Sequence, residues 1–67
     1  MTIFINNEKY EIFDGARVVD AINIYLNSNI LLRDHVATEV TDQYGNRLMD
    51  KGRLLPDMEL IIDSELA

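Results

Sequence analysis

Sixty-seven residues allow a single domain, and a core that small buries only about 60% of what its unfolded chain exposes, too little to enclose a large active-site cavity. A formal net charge of -6 disfavours nucleic acid and anionic membrane as partners and favours a basic protein face. The absence of cysteine removes disulfides and every thiolate that could hold zinc or an iron–sulfur cluster, while 48% hydrophobic content with mixed charge marks a folded globular chain.

From the N-terminus, "TIFIN" alternates, with Ile3 and Ile5 on one face and Thr2 and Phe4 on the other. "KYEIF" alternates too, Tyr10 and Ile12 opposing Glu11 and Phe13, and "NNEK" between them is a polar turn. Pairing Ile5 with Tyr10 brings Ile3 to Ile12 on a buried face and sends Phe4, Glu11 and Phe13 to the opposite one. Asp14-Gly15 closes the hairpin, with glycine suited to a positive φ. In "ARVVDAINIYLNSN" the residues Val18, Ala21, Ile22, Tyr25 and Leu26 share a helical face, Ile24 falls on the polar side, and Asn27 to Asn29 are a stop signal, Asn being the usual substitute for Gly at a helix end. "ILLRDH" is a crossing loop with Ile30 to Leu32 tucked under the sheet.

"VATEV" is a third strand with Val36, Thr38 and Val40 on one side. "DQYGN" is a turn around Gly45, "RLM" a short fourth strand, and "KGRLLPD" a loop holding the only proline. The last strand, "MELII", places Leu60 and Ile62 on one face and Glu59, Ile61 and Asp63 on the other. These periods predict a core of Ile3, Ile5, Tyr10, Ile12, Val18, Ile22, Leu26, Val36, Val40, Leu60 and Ile62. A sheet this small has one helical layer, and a right-handed crossover lays the last strand parallel to the first. The expected class is α+β: a mixed four- to five-stranded sheet with one main helix on one face. This is the β-grasp arrangement of ubiquitin-like folds and plant-type ferredoxins.

No catalytic, cofactor-binding or metal-binding set stands out, and the expectation is that the domain is not an enzyme. His35, the only histidine, has Asp34 beside it in sequence, but adjacent residues seldom face each other, so it is an ordinary loop histidine. Asp57, Glu59, Asp63 and Glu65 share a parity, yet a strand spreads them about 6–7 Å apart where calcium needs converging oxygens. They form a solvated face or a docking surface for a basic partner. "DQYGNR" is turn chemistry and no phosphate loop. The remaining anomaly is apolar: Phe4, Phe13 and Ile61 point away from the helix-covered face. With Glu11, Glu59 and Asp63 around them they make a candidate protein-binding surface.

The opening "MTIFINNEKYEIFDGARVVDAINIYL" resembles two β-grasp families: the sulfur carriers of thiamin and molybdopterin synthesis, and the 2Fe-2S ferredoxin domain that begins iron-only hydrogenases and the large iron–sulfur subunit of complex I. Sulfur carriers end in di-glycine, whereas this chain ends Glu65-Leu66-Ala67. "PDMELIIDSE" resembles the ending of the ferredoxin family, with Asp57 in place of a Gly, and "RDHVATEV" resembles its cluster loop and following strand. Arg33 and Val36 then stand where two cluster cysteines would be, Asp50 falls near the last, and the loop of the first is shortened. The resemblance implies fold and context without the cluster: a cofactor-free accessory or docking domain, residues 1–67, cut from the N-terminus of a longer redox polypeptide. Its implied partners are downstream domains of that polypeptide or a redox protein. The alternatives are a sulfur-carrier-like protein lacking its reactive tail and a free-standing ubiquitin-like adaptor. No apolar run approaches the roughly 20 residues of a membrane span, so a cytoplasmic location is expected.

Overall fold

A computed structural model describes residues 1–67. Strands β1 (Thr2–Ile5) and β2 (Glu8–Glu11) precede helix α1 (Val18–Ser28), a 3-10 turn (Ile30–Leu32), β3 (His35–Asp42) and β4 (Glu59–Leu66). The four strands form one mixed sheet in the order β2-β1-β4-β3, with β1 parallel to β4 and the other two pairings antiparallel. The class is therefore α+β with one main helix, as the periodicities predict. No helix is long and apolar enough to cross a membrane.

The first hairpin is tighter than its sequence suggests. Asn6 and Asn7 both take positive φ, 50° and 69°, which lets a two-residue loop match the strand twist. Glu8 and Lys9 thereby join the ladder, and Ile3 pairs with Tyr10 and Ile5 with Glu8 instead of Ile3 with Ile12. The slip is two residues, so every side chain keeps its expected face.

Gly15 carries the expected positive φ of 86°. At the start of α1, the Arg17 N–H donates to the Asp20 carboxylate at 2.9 Å, placing a negative charge in the first turn where the helix dipole favours it. At its end, Asn29 does not adopt the left-handed cap. Its φ is -113°, and its side-chain amide donates to the Tyr25 carbonyl at 2.7 Å instead. Tyr25 also meets Tyr10 edge-on, ring centroids 6.3 Å apart.

The buried core is Ile3, Ile5, Ile12, Ala16, Val18, Ala21, Val40, Leu54, Leu60 and Ile62. Tyr10 and Ile22 are half-buried against it, as is Ile24, whose place on the polar side is thus corrected. Leu26 is half-buried outside that cluster. Leu54, expected in a loop, is fixed by its N–H donating to Ala16 O at 3.1 Å. Ile30 and Leu31 are not tucked under the sheet but 74% and 87% exposed. A 3-10 turn spreads three residues around its axis, so only Leu32 of the three turns inward even in part.

Val36 is the largest departure from the predicted core. The β3–β4 register breaks between Ala37 and Glu39, where Thr38 is an extra residue on β3. Such a bulge inverts the alternation: Val40 faces the core opposite Ile62, while Val36 lies opposite Glu65 on the uncovered face and is 48% exposed.

The fourth strand is reduced to one bridge, Thr41 with Arg47, and a bond from Leu48 N to Val40 O at 2.8 Å. Asp42 tightens this turn: its Oδ1 accepts from the N–H groups of Tyr44 and Asn46, each at 2.9 Å. The Asn46 N–H bond, foremost among these, holds the Asp42 carboxyl below its ordinary value. The last strand runs past its predicted stop to Leu66, because His35, Val36 and Ala37 pair with its final residues.

Candidate docking face

The helix covers one face of the sheet, and alternation fixes what the other presents. Phe4 lies between Lys9 on β2 and Glu59 on β4. Along the β3–β4 pair, Ile61 stands opposite Thr41, Asp63 opposite Glu39 and Glu65 opposite Val36. The open face is thus a carboxylate field with an apolar centre at Phe4 and Ile61. A shallow hollow of about 370 Å³ connects that pair, lined also by Asn6, Asn7, Gln43 and Glu59.

Phe13 does not join them. Ile12 exchanges bonds with Met1 at the far end of the hairpin, so Phe13 sits beyond the start of β1, whereas Ile61 lies two residues past the Phe4–Glu59 pair. The strand rise then separates Phe13 from Ile61 by about 20 Å. Glu11 is also at that end, where Thr2 Oγ1 donates to its carboxylate at 2.6 Å and Lys9 Nζ stands 4.0 Å away. Of the six residues expected on the partner surface, the structure brings together Phe4, Glu59, Ile61 and Asp63, keeps Glu11 on the same face diagonal to Phe4, and leaves Phe13 apart. Sequence reasoning missed Val36, because the bulge that turns it outward leaves no mark in "VATEVT", whereas Glu39 and Thr41 face outward by simple alternation from Val40 and join the face through the β3–β4 pairing.

His35 Nδ1 lies 3.3 Å from Ser64 Oγ. Asp34 engages elsewhere, its backbone carbonyl accepting from Ala67 N–H. Asp57 leaves the predicted carboxylate row, since it occupies a turn with φ 62°, a conformation that suits glycine. Glu59, Asp63 and Glu65 remain in a row, and no three His, Asp or Glu side chains converge on one point. The positions likened to cluster ligands fall on three elements. Arg33 caps the 3-10 turn, Val36 is in β3, and Asp50 accepts from Val19 N–H at the start of α1.

Every buried residue is apolar, and no buried side-chain polar atom lacks a partner. The face can therefore offer apolar contact and negative charge for recognition. Comparison with protein-family models, curated proteins and solved structures gives no match.

Proposed function

We propose that this chain is a non-catalytic β-grasp docking domain that engages a basic protein surface through its open sheet face. The observation that carries the reading is the Phe4–Ile61 pair set among Glu59, Asp63 and Glu39 on a face no helix covers. An apolar centre with a charged rim is common partner-site anatomy, and the acidic rim steers a basic partner. The parallel pairing of first and last strands and the single helix support the β-grasp assignment.

The sequence likeness suggests the setting: a cluster-free, 2Fe-2S-ferredoxin-like accessory module of an iron-only hydrogenase-like redox protein in the cytoplasm. Asp57 in a glycine-favouring conformation, just before Met58, agrees with that likeness. With no thiolate in the chain, the domain contributes contact rather than electron transfer.

The test is photo-crosslinking in the native host, with a benzophenone amino acid at Phe4, at Ile61, or at Ile30 as control. Adducts from positions 4 and 61 that Asp63→Lys suppresses are expected, and mass spectrometry then tells another part of the same polypeptide from a separate redox protein. Equal adducts from Ile30, or none from positions 4 and 61, would rule the open face out.

A further inference from the structure

The sheet has two edges, and they differ. β2 is four residues long and mostly charged. β3 is eight residues long, and only its far half is covered, by Leu48 N–H on Val40 O and by Asp42 N–H on Asn46 O. No backbone bond outside the ladder reaches residues 35–39. Asp34 C=O turns inward to Ala67 N–H, so alternation presents the N–H and C=O groups of His35 and Ala37 outward.

Beside this bare stretch, between the edge and α1, runs a groove of about 480 Å³. Ile22, Ala37, Val40, Leu48 and Met49 supply its apolar surface, and Met49 is 74% exposed. An extended segment is the one kind of ligand that uses both features, because it can bond to the strand edge while sending alternate side chains into the groove.

Charge decides its composition. On the open-face side of the edge stand Glu39, Asp63 and Glu65, with Glu39 directly opposite Asp63. Arg47, whose Nε is 4.0 Å from Glu39, lines the groove together with Lys51 and Asp50, so the groove's own charges balance and the unbalanced charge is the open-face row of Glu39, Asp63 and Glu65. A second copy would bring its own Glu39, Asp63 and Glu65 against this edge, and like charges set side by side across strands are destabilising, which favours a basic segment over a second copy as the occupant.

The geometry points to residues 35–39 of β3 as a strand-addition site for a short extended segment of another protein that alternates apolar and basic residues. Its apolar side chains fill the groove against Ile22 and Met49, and its basic ones lie beside Glu39. The site shares Glu39 with the rim of the open face but not its centre at Phe4 and Ile61, so Met49→Glu and the shifts at Ile22 and Ala37 distinguish it from that face.

The probe is the acetylated, amidated peptide Lys-Val-Lys-Val-Lys, titrated to millimolar concentration into the isotope-labelled chain. Saturable shifts at His35, Ala37, Ile22 and Met49 are expected, with slowed amide exchange at His35 and Ala37. Met49→Glu and Glu39→Lys, both at exposed positions, are each expected to weaken binding about tenfold, and Glu-Val-Glu-Val-Glu is expected not to bind. The site is refuted by the absence of saturable shifts, by shifts confined to Phe4, Glu59 and Ile61, or by undiminished binding to Met49→Glu. The second of these results would leave the open-face reading standing.

Discussion

Asn6 stands where β1 runs out and β4 continues. Its backbone N–H still donates to Leu60 O, but the next ladder partner comes from its side chain. Oδ1 accepts from Ile62 N–H at 3.0 Å, while Nδ2 donates to Ile62 O at 3.0 Å and to Tyr25 Oη at 2.9 Å. A carboxamide carries the acceptor and donors of a peptide unit, so one side chain extends the sheet and pins it to the helix. Asn6→Gly keeps the positive φ of 50° accessible and removes these bonds. Urea unfolding is expected to show a loss of about 1–3 kcal/mol, the cost of leaving largely buried polar groups unpaired. A loss under about 0.5 kcal/mol, as for an ordinary surface change, would mean water replaces the amide without penalty.

At the scale of elements, the bulge in β3 makes two valines four residues apart behave differently. Val36→Thr is expected to change stability by less than about 0.5 kcal/mol, because the side chain is already on the open face. Leu54→Ala, in a segment of no regular structure, is expected to cost about 2–5 kcal/mol, since Leu54 is wholly within the core. The reverse order of costs in chemical denaturation would put Val36 back inside. Much of the sheet was legible in the sequence, because the faces of Ile3, Ile5, Leu60 and Ile62 follow from strict alternation. Residues whose placement depends on backbone conformation were not. The hairpin register turned on the φ angles of Asn6 and Asn7, the Val36 face on one extra residue, and the burial of Leu54 on a bond to Ala16. The candidate site inherited these limits: Phe4 and Ile61 are neighbours because of strand order, whereas placing Phe13 required the true register.

For the molecule as a whole, the net charge of -6 has a local focus at Glu39 and Asp63, like charges directly opposite across β3 and β4. Asp63→Lys is expected to stabilise the fold by about 0.2–1 kcal/mol at low ionic strength by creating an opposite-charge pair. The gain should shrink as added salt screens these exposed groups. Thermal melts at low and high salt test this, and equal stability of the two proteins at low salt would show that the Glu39–Asp63 repulsion is negligible. The same substitution is expected to suppress the proposed docking, and a variant that gains stability while losing its adducts would show stability given up for binding. The position of β4 has a different consequence. The last strand in the chain is an inner strand of the sheet, flanked by β1 and β3. Until it inserts, the N-terminal hairpin and β3 have no strand between them and meet only through α1, and the strand pairings that join them link distant parts of the chain. Such non-local closure slows folding. On the ribosome, the hairpin and helix emerge early with their apolar faces uncovered, and the sheet closes only after Leu60 and Ile62 have left the exit tunnel.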